Sequence, residues 1–209
     1  MKKILFFAGY FLFPLIPVAI YFSSLSPAFD TYTVSVCLGI YAYVFIAGQF
    51  LLAARPGFAV RTLGQKGLVS FHSTMPAVIL VIAAVHKFLK EANGFSEDAF
   101  QARFGAIAWW TFAVLVVFAV LFMANTVWMR LGFLKTLKEL VYKKTGLSYK
   151  IARVLHNITV LAGVAILVHV LLASTSSFGS NPVGFVFLAA LMLFCLGAYL
   201  IYRIKGRKS

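Results

Sequence analysis

The sequence predicts an all-α membrane protein: a single bundle of six transmembrane helices over residues 1–209, with both termini cytoplasmic. Three observations predict it. Of the 209 residues, 62% are hydrophobic and only 11% charged, with a mean hydropathy of +0.96. A globular chain averages about 45–50% apolar and about 25% charged, so a water-facing surface cannot be built from this composition. The apolar residues fall into six runs near the ~20 residues that cross a bilayer. The basic residues cluster between alternate runs. A soluble enzyme domain, a disordered tail and a nucleic-acid binder are excluded, despite the net charge of +14. Two cysteines, Cys37 and Cys195, make no disulfide scaffold and read as small apolar core residues.

The first run, residues 4–22, follows Lys2 and Lys3 as a signal peptide would. It is long, and the Ser23–Pro27 segment is a poor cleavage site, so it is read as a span. The second covers 33–54, the third 67–89, the fourth 105–128, the fifth 154–173 and the sixth 183–202. With the N-terminus inside, 16 of the 19 basic residues lie on the cytoplasmic side, and only Lys87, Lys90 and Arg103 lie outside. Four of the five acids, Asp30, Glu91, Glu97 and Asp98, also lie outside. This charge bias sets the direction of the bundle and assigns the cations to the anionic face of the bilayer. Residues 133–141, in the one sizeable loop, mix apolar and basic residues at helical spacing and predict an amphipathic helix on the membrane surface. There is no phosphate-binding loop and no dinucleotide-binding glycine fingerprint.

The chemistry lies in four histidines. His72 and His86 are 14 residues apart on the third span, and His156 and His169 are 13 apart on the fifth. Ionisable groups inside a bilayer are expensive and default to a functional reading. Fourteen residues rise about 21 Å along a helix, within a hydrocarbon core of about 30 Å. The two spans run parallel, so His72 is level with His156 towards the cytoplasm, and His86 with His169 towards the outside. Two facing imidazoles at one depth suit the axial positions of a haem iron, giving an inner site (His72/His156) and an outer site (His86/His169). Structural zinc wants four ligands, and no carboxylate or cysteine completes such a set. Fourteen residues return within about 40° of the same helix face, but 13 leave the two histidines about 140° apart. Either the fifth span is distorted, with Gly163 a point that allows deformation, or its two histidines approach their ligands from different sides; Pro76 is expected to kink the third. Arg153, Arg61, Lys66 and Lys87 are candidate partners for haem propionates; Ser73 and Asn157 are candidates to orient a ring.

The segments RTLGQKGLVSFHSTMPAVILVIAAVHKFLK and RVLHNITVLAGVAILVHVLLAS carry a resemblance to the ferric-reductase-like transmembrane domain family. That family includes the membrane parts of NADPH oxidases, ferric reductases and bacterial methionine-sulfoxide-reductase haem subunits. The resemblance rests on the four histidine positions and spans the six-helix core. It implies a dihaem b-type core ligated by His72, His86, His156 and His169, and electron transfer from a cytoplasmic donor to an extracytoplasmic acceptor: ferric iron, oxygen, a flavin or a partner reductase. Many members continue into a flavin and nicotinamide domain. The tail after residue 202 holds none, so the donor is expected to be a separate flavin/NAD(P)H reductase or a quinol, with bound flavin a further option. The compactness suggests a bacterial inner membrane. The competing readings are a quinone-linked dihaem cytochrome b, a proton or metal transporter, and a structural subunit. The transporter would want acids within the spans, where there are none, and the structural subunit gives no reason for four paired histidines.

Overall fold

A computed structural model describes residues 1–96, 98–123, 130–146 and 149–206, without the side chains of 149 and 150. The expected fourth-span end at Trp128, the acid Glu97, the side chain of Lys150, and Arg207 and Lys208 lie outside the described residues. Helix α1 (Lys2–Leu12) and α2 (Leu15–Leu25) form one candidate span, followed by α3 (Thr31–Ala53), α4 (Gly57–Ala92) and α5 (Phe100–Phe122). Then come the surface helix α6 (Gly132–Thr145), the short α7 (Tyr149–Leu155), α8 (Thr159–Leu172) and α9 (Pro182–Lys205). A 3₁₀ turn, His156–Ile158, joins α7 to α8 and completes the fifth span. Six helices or helix pairs are long and apolar enough to cross a membrane, and no strand occurs among the described residues.

Local chemistry sets the boundaries. Pro14 separates α1 from α2, where its missing N–H breaks the ladder. Asp30 caps α3, its carboxylate accepting from the Thr33 amide at 2.7 Å. That bond holds the Asp30 carboxyl below the usual carboxylate range. Asn181 caps α9 in the same way, accepting from the Gly184 amide at 2.8 Å, with Pro182 at the first helical position. Gly146, with φ of 62°, ends α6 in the left-handed conformation that glycine adopts most readily. Helix α6 matches the amphipathic segment expected from the sequence. It buries none of its residues, and Tyr142 ties it to the bundle by donating to the Phe122 carbonyl at 2.5 Å.

Helix α3 is the axis of the core. Its residues 42–47 are buried on every side, as expected of a helix apolar all round. It packs most extensively on α4 and α9, while α5 packs chiefly on α8. The first span is held to this core by aromatic rings: Tyr10 stacks on Phe45 with centroids 5.1 Å apart and meets Phe71 edge-on at 4.9 Å. Gln49 donates to the Tyr10 hydroxyl at 2.8 Å.

The departures from α-helical backbone fall at other residues than Pro76 and Gly163. The break in α4 is at Gly64, with φ 71° and ψ 161°; the backbone at Pro76 remains helical. Proline's fixed φ suits a helix, and its cost here is the lost bond to the carbonyl four residues back, which belongs to His72. Gly64 instead takes a conformation that a side chain would strain. It separates residues 57–63 from the histidine-bearing part of α4. In the fifth span the distortion is the 3₁₀ turn that starts at His156. Three residues at ~120° rather than ~100° per residue add about 60° of rotation, which narrows the angular gap between His156 and His169 from about 140° to about 80°. Gly163 is a packing residue within α8: a Cβ there would sit 2.8 Å from the Phe50 ring.

Candidate histidine-lined cavity

One cavity of about 850 Å³ runs between the α3–α4–α9 group and the α5–α8 pair, and all four histidines line it. Its volume is near the top of the ~300–1,000 Å³ range of ligand sites. The histidines form two levels. His86 and His169 face each other with ring centroids 6.5 Å apart and planes at 75°. His72 and His156 lie within electrostatic range of each other at the other level. Each level thus takes one imidazole from α4 and one from the fifth span.

The cations follow the same division. Arg55 lies within electrostatic range of His72, and Arg203 of His156; both arginines, and Arg153, line that end of the cavity. Lys90 is in range of both His86 and His169, its ammonium 3.6 Å above the centre of the Tyr32 ring. Of the four cations singled out from the sequence, Arg153 and Lys87 line the cavity, and Arg61 and Lys66 do not. Arg61 belongs to the segment 57–63 before the Gly64 break, none of whose residues lines the cavity. Lys87 is already salt-bridged to Glu91 one helical turn on. Arg55, Arg203 and Lys90 were missed. Their only sequence signal is adjacency to span ends, which in a bundle this basic marks nearly every cation. Asn157 accepts from the Tyr199 hydroxyl at 3.1 Å, and Ser73 donates to the Ser70 carbonyl at 2.9 Å, so the side-chain bonds of these neighbours run to other groups than the histidine rings.

The two levels differ in how their rings are held. His86 Nδ1 is 2.8 Å from the Ser35 carbonyl oxygen, and His169 Nδ1 is 2.7 Å from that of Gln101. A carbonyl only accepts, so both rings carry their proton on Nδ1 and leave the Nε2 lone pair for a ligand. No hydrogen bond joins the two rings among the described residues. Among the described residues, His72 Nδ1 and His156 Nδ1 are buried with no hydrogen-bond partner, and so is Gln49 Oε1, which belongs to another cavity-lining residue.

These residues fit a group that takes two axial nitrogens. With metal–nitrogen bonds of about 2 Å, two imidazoles on one ion place their centroids about 6 Å apart, close to the 6.5 Å observed. No group of three or more His, Cys, Asp or Glu side chains able to hold a bare metal ion occurs among the described residues, and a closed structural zinc site needs four ligands. The apolar cavity walls suit a macrocycle, and the arginines suit its carboxylates. Comparison with protein-family models, curated proteins and solved structures finds no match.

Proposed function

We propose that this protein carries electrons across a membrane through two b-type haems, one held by His72 and His156 and the other by His86 and His169, in the manner of ferric-reductase-like transmembrane domains. The observation that carries the reading is the His86–His169 pair: two rings 6.5 Å apart, each with Nδ1 engaged by a backbone carbonyl, on either side of a large apolar cavity. Haem bound there supplies reversible one-electron carriage. The chain's own residues do the rest. The four imidazoles fix the two levels, and the spans wall them off from water. Arg55, Arg153 and Arg203 offer guanidinium groups to carboxylates at one end, and Lys90 offers an ammonium at the other.

The cation distribution supports a cytoplasmic donor beside the His72–His156 level and an extracytoplasmic acceptor beside the His86–His169 level. The donor is a flavin-containing reductase or a quinol; the acceptor is ferric iron, oxygen, a flavin or a partner reductase. Gln49 Oε1, His72 Nδ1 and His156 Nδ1, which have no partner among the described residues, all belong to residues lining the cavity, where bridging waters would satisfy them. The localisation that accompanies this reading is a bacterial inner membrane.

The test is a reduced-minus-oxidised absorption spectrum of the detergent-purified protein, with haem counted per chain. The reading expects a b-type spectrum and two haems. Protein made with ample haem that carries none would overturn it and leave a histidine-based transporter as the better account.

A further inference from the structure

The His86–His169 level, taken as the second with His72–His156 as the first, is built twice by the same device. His86, on α4, seats its Nδ1 on the Ser35 carbonyl of α3, and four residues beyond Ser35 stands Gly39. His169, on α8, seats its Nδ1 on the Gln101 carbonyl of α5, and four residues beyond Gln101 stands Gly105. The spacing has a physical reason. In a helix the carbonyl of one residue points at the amide four residues on, and every Cβ leans towards the N-terminus. The side chain of that fourth residue therefore stands beside the carbonyl, where an incoming ring must pass. A Cβ on Gly39 would lie 2.8 Å from Cε1 and 2.9 Å from Nδ1 of His86. On Gly105 it would lie 2.9 Å from both Cε1 and Nδ1 of His169. Real side chains do not come that close, so any residue but glycine would push the ring off its carbonyl. A glycine–imidazole contact of this kind is found, among the described residues, at His86 and His169 and not at His72 or His156.

We propose that Gly39 and Gly105 are positioning residues for the second-level ligands: each opens a notch on its helix that docks one imidazole on a backbone carbonyl, fixes the Nδ1–H tautomer and aims Nε2 at the shared ligand. This inference rests on the dihaem reading for the identity of that ligand, but the notches themselves do not depend on it. Neither glycine touches the ligand in this account. Each acts through its histidine.

The test substitutes alanine at each notch in the full-length protein and reads haem per chain together with the low-spin haem signals. Gly39→Ala and Gly105→Ala are each expected to lose the second-level haem, taking the chain from two haems to one. The remaining first-level signal shows that the variant has folded. Gly197→Ala, where a Cβ meets nothing within 4 Å, is expected to keep both. A rescue experiment sharpens the case. In His86→Gly, added imidazole is expected to restore the second-level signal by occupying the notch, and adding Gly39→Ala to that variant is expected to abolish the rescue. Two haems with unchanged signals in both alanine variants, or rescue that survives Gly39→Ala, would overturn the proposal. Wild-type haem content reports on the dihaem reading separately. If the wild type carries none, that reading fails, and imidazole ¹⁵N shifts of the same protein decide the notches. They are expected to report Nδ1–H at His86 and His169, with the signature lost at His86 alone in Gly39→Ala and at His169 alone in Gly105→Ala. An unchanged pattern would overturn the proposal there too.

Discussion

The His86–His169 level and the His72–His156 level use the same side chains on the same two spans, yet they are built differently. At the first-named level both rings are anchored to backbone carbonyls of neighbouring helices and both Nε2 atoms are free to ligate. At the other, both Nδ1 atoms are buried without a partner, the carbonyl of His72 has lost its helical donor to Pro76, and His156 starts a 3₁₀ turn. The difference teaches that equal sequence patterns do not make equal sites. One level is pre-organised by rigid helix backbone. The other has ring nitrogens without a partner among the described residues, beside three arginines.

The largest expected effect comes from removing a ligand. His86→Ala or His169→Ala should abolish the low-spin signal of one haem, and His72→Ala or His156→Ala that of the other, each taking the count from two to one. Four variants that all keep two low-spin haems would end the comparison. A second effect follows from the missing ring partners. Loss of a ligand's outer hydrogen bond typically costs about 10–100-fold in affinity. Protein expressed with limiting haem should therefore fill the His86–His169 level first, by roughly tenfold or more, and equal filling would show that the orphaned nitrogens carry no cost. A third concerns the cations. Arg153→Gln should weaken retention of the His72–His156 haem about tenfold, since a charged hydrogen bond is worth about 1.5–3 kcal/mol. Lys87→Gln, whose ammonium already serves Glu91, should change the other haem less than about twofold. Haem retention on dilution reads both. Gly163→Ala should lower the thermal midpoint by an overpacking cost of about 1–3 kcal/mol, because its Cβ would meet the Phe50 ring, without favouring either haem over the other.

The smallest effect is at the cap of α3. The Asp30 carboxyl, held below its usual range by the Thr33 amide, contributes stability above its unfolded value that disappears as pH falls through the depressed one. Asp30→Ala should lower the thermal midpoint slightly at neutral pH and by less in acid. A variant that differs equally from wild type at both would remove the carboxylate from the account.

Much of this was legible in the chain. Six spans, the surface helix and the two pairs of histidines follow from apolar run length and spacing, which depend on bilayer thickness and helix rise alone. The α-helical backbone is interrupted in the spans where distortion was expected, at Gly64 and at His156–Ile158. Pro76 advertises a kink, but its φ is already helical, whereas Gly64 takes a φ of 71° that no periodicity announces. The 3₁₀ turn at His156 serves to bring a 13-residue spacing towards one face, a tertiary demand that local propensity does not carry. Gly39 and Gly105 left a faint signal. A glycine inside a helix costs about 1 kcal/mol relative to alanine, so a single one within an apolar span asks for a reason. Which ring each receives depends on helix pairing, visible only once α4 lies on α3 and α8 on α5. Arg55 and Arg203 were hidden among many cations for the same reason.

The central claim is that the four histidines act as two pairs across the bundle. Haem content of double variants tests it most directly. The account predicts that the same-level variant His86→Ala/His169→Ala keeps one haem per chain, the same as either single variant, while the cross-level variant His72→Ala/His86→Ala keeps none. If the same-level double lost both haems, or the cross-level double kept one low-spin haem, the pairing would be wrong.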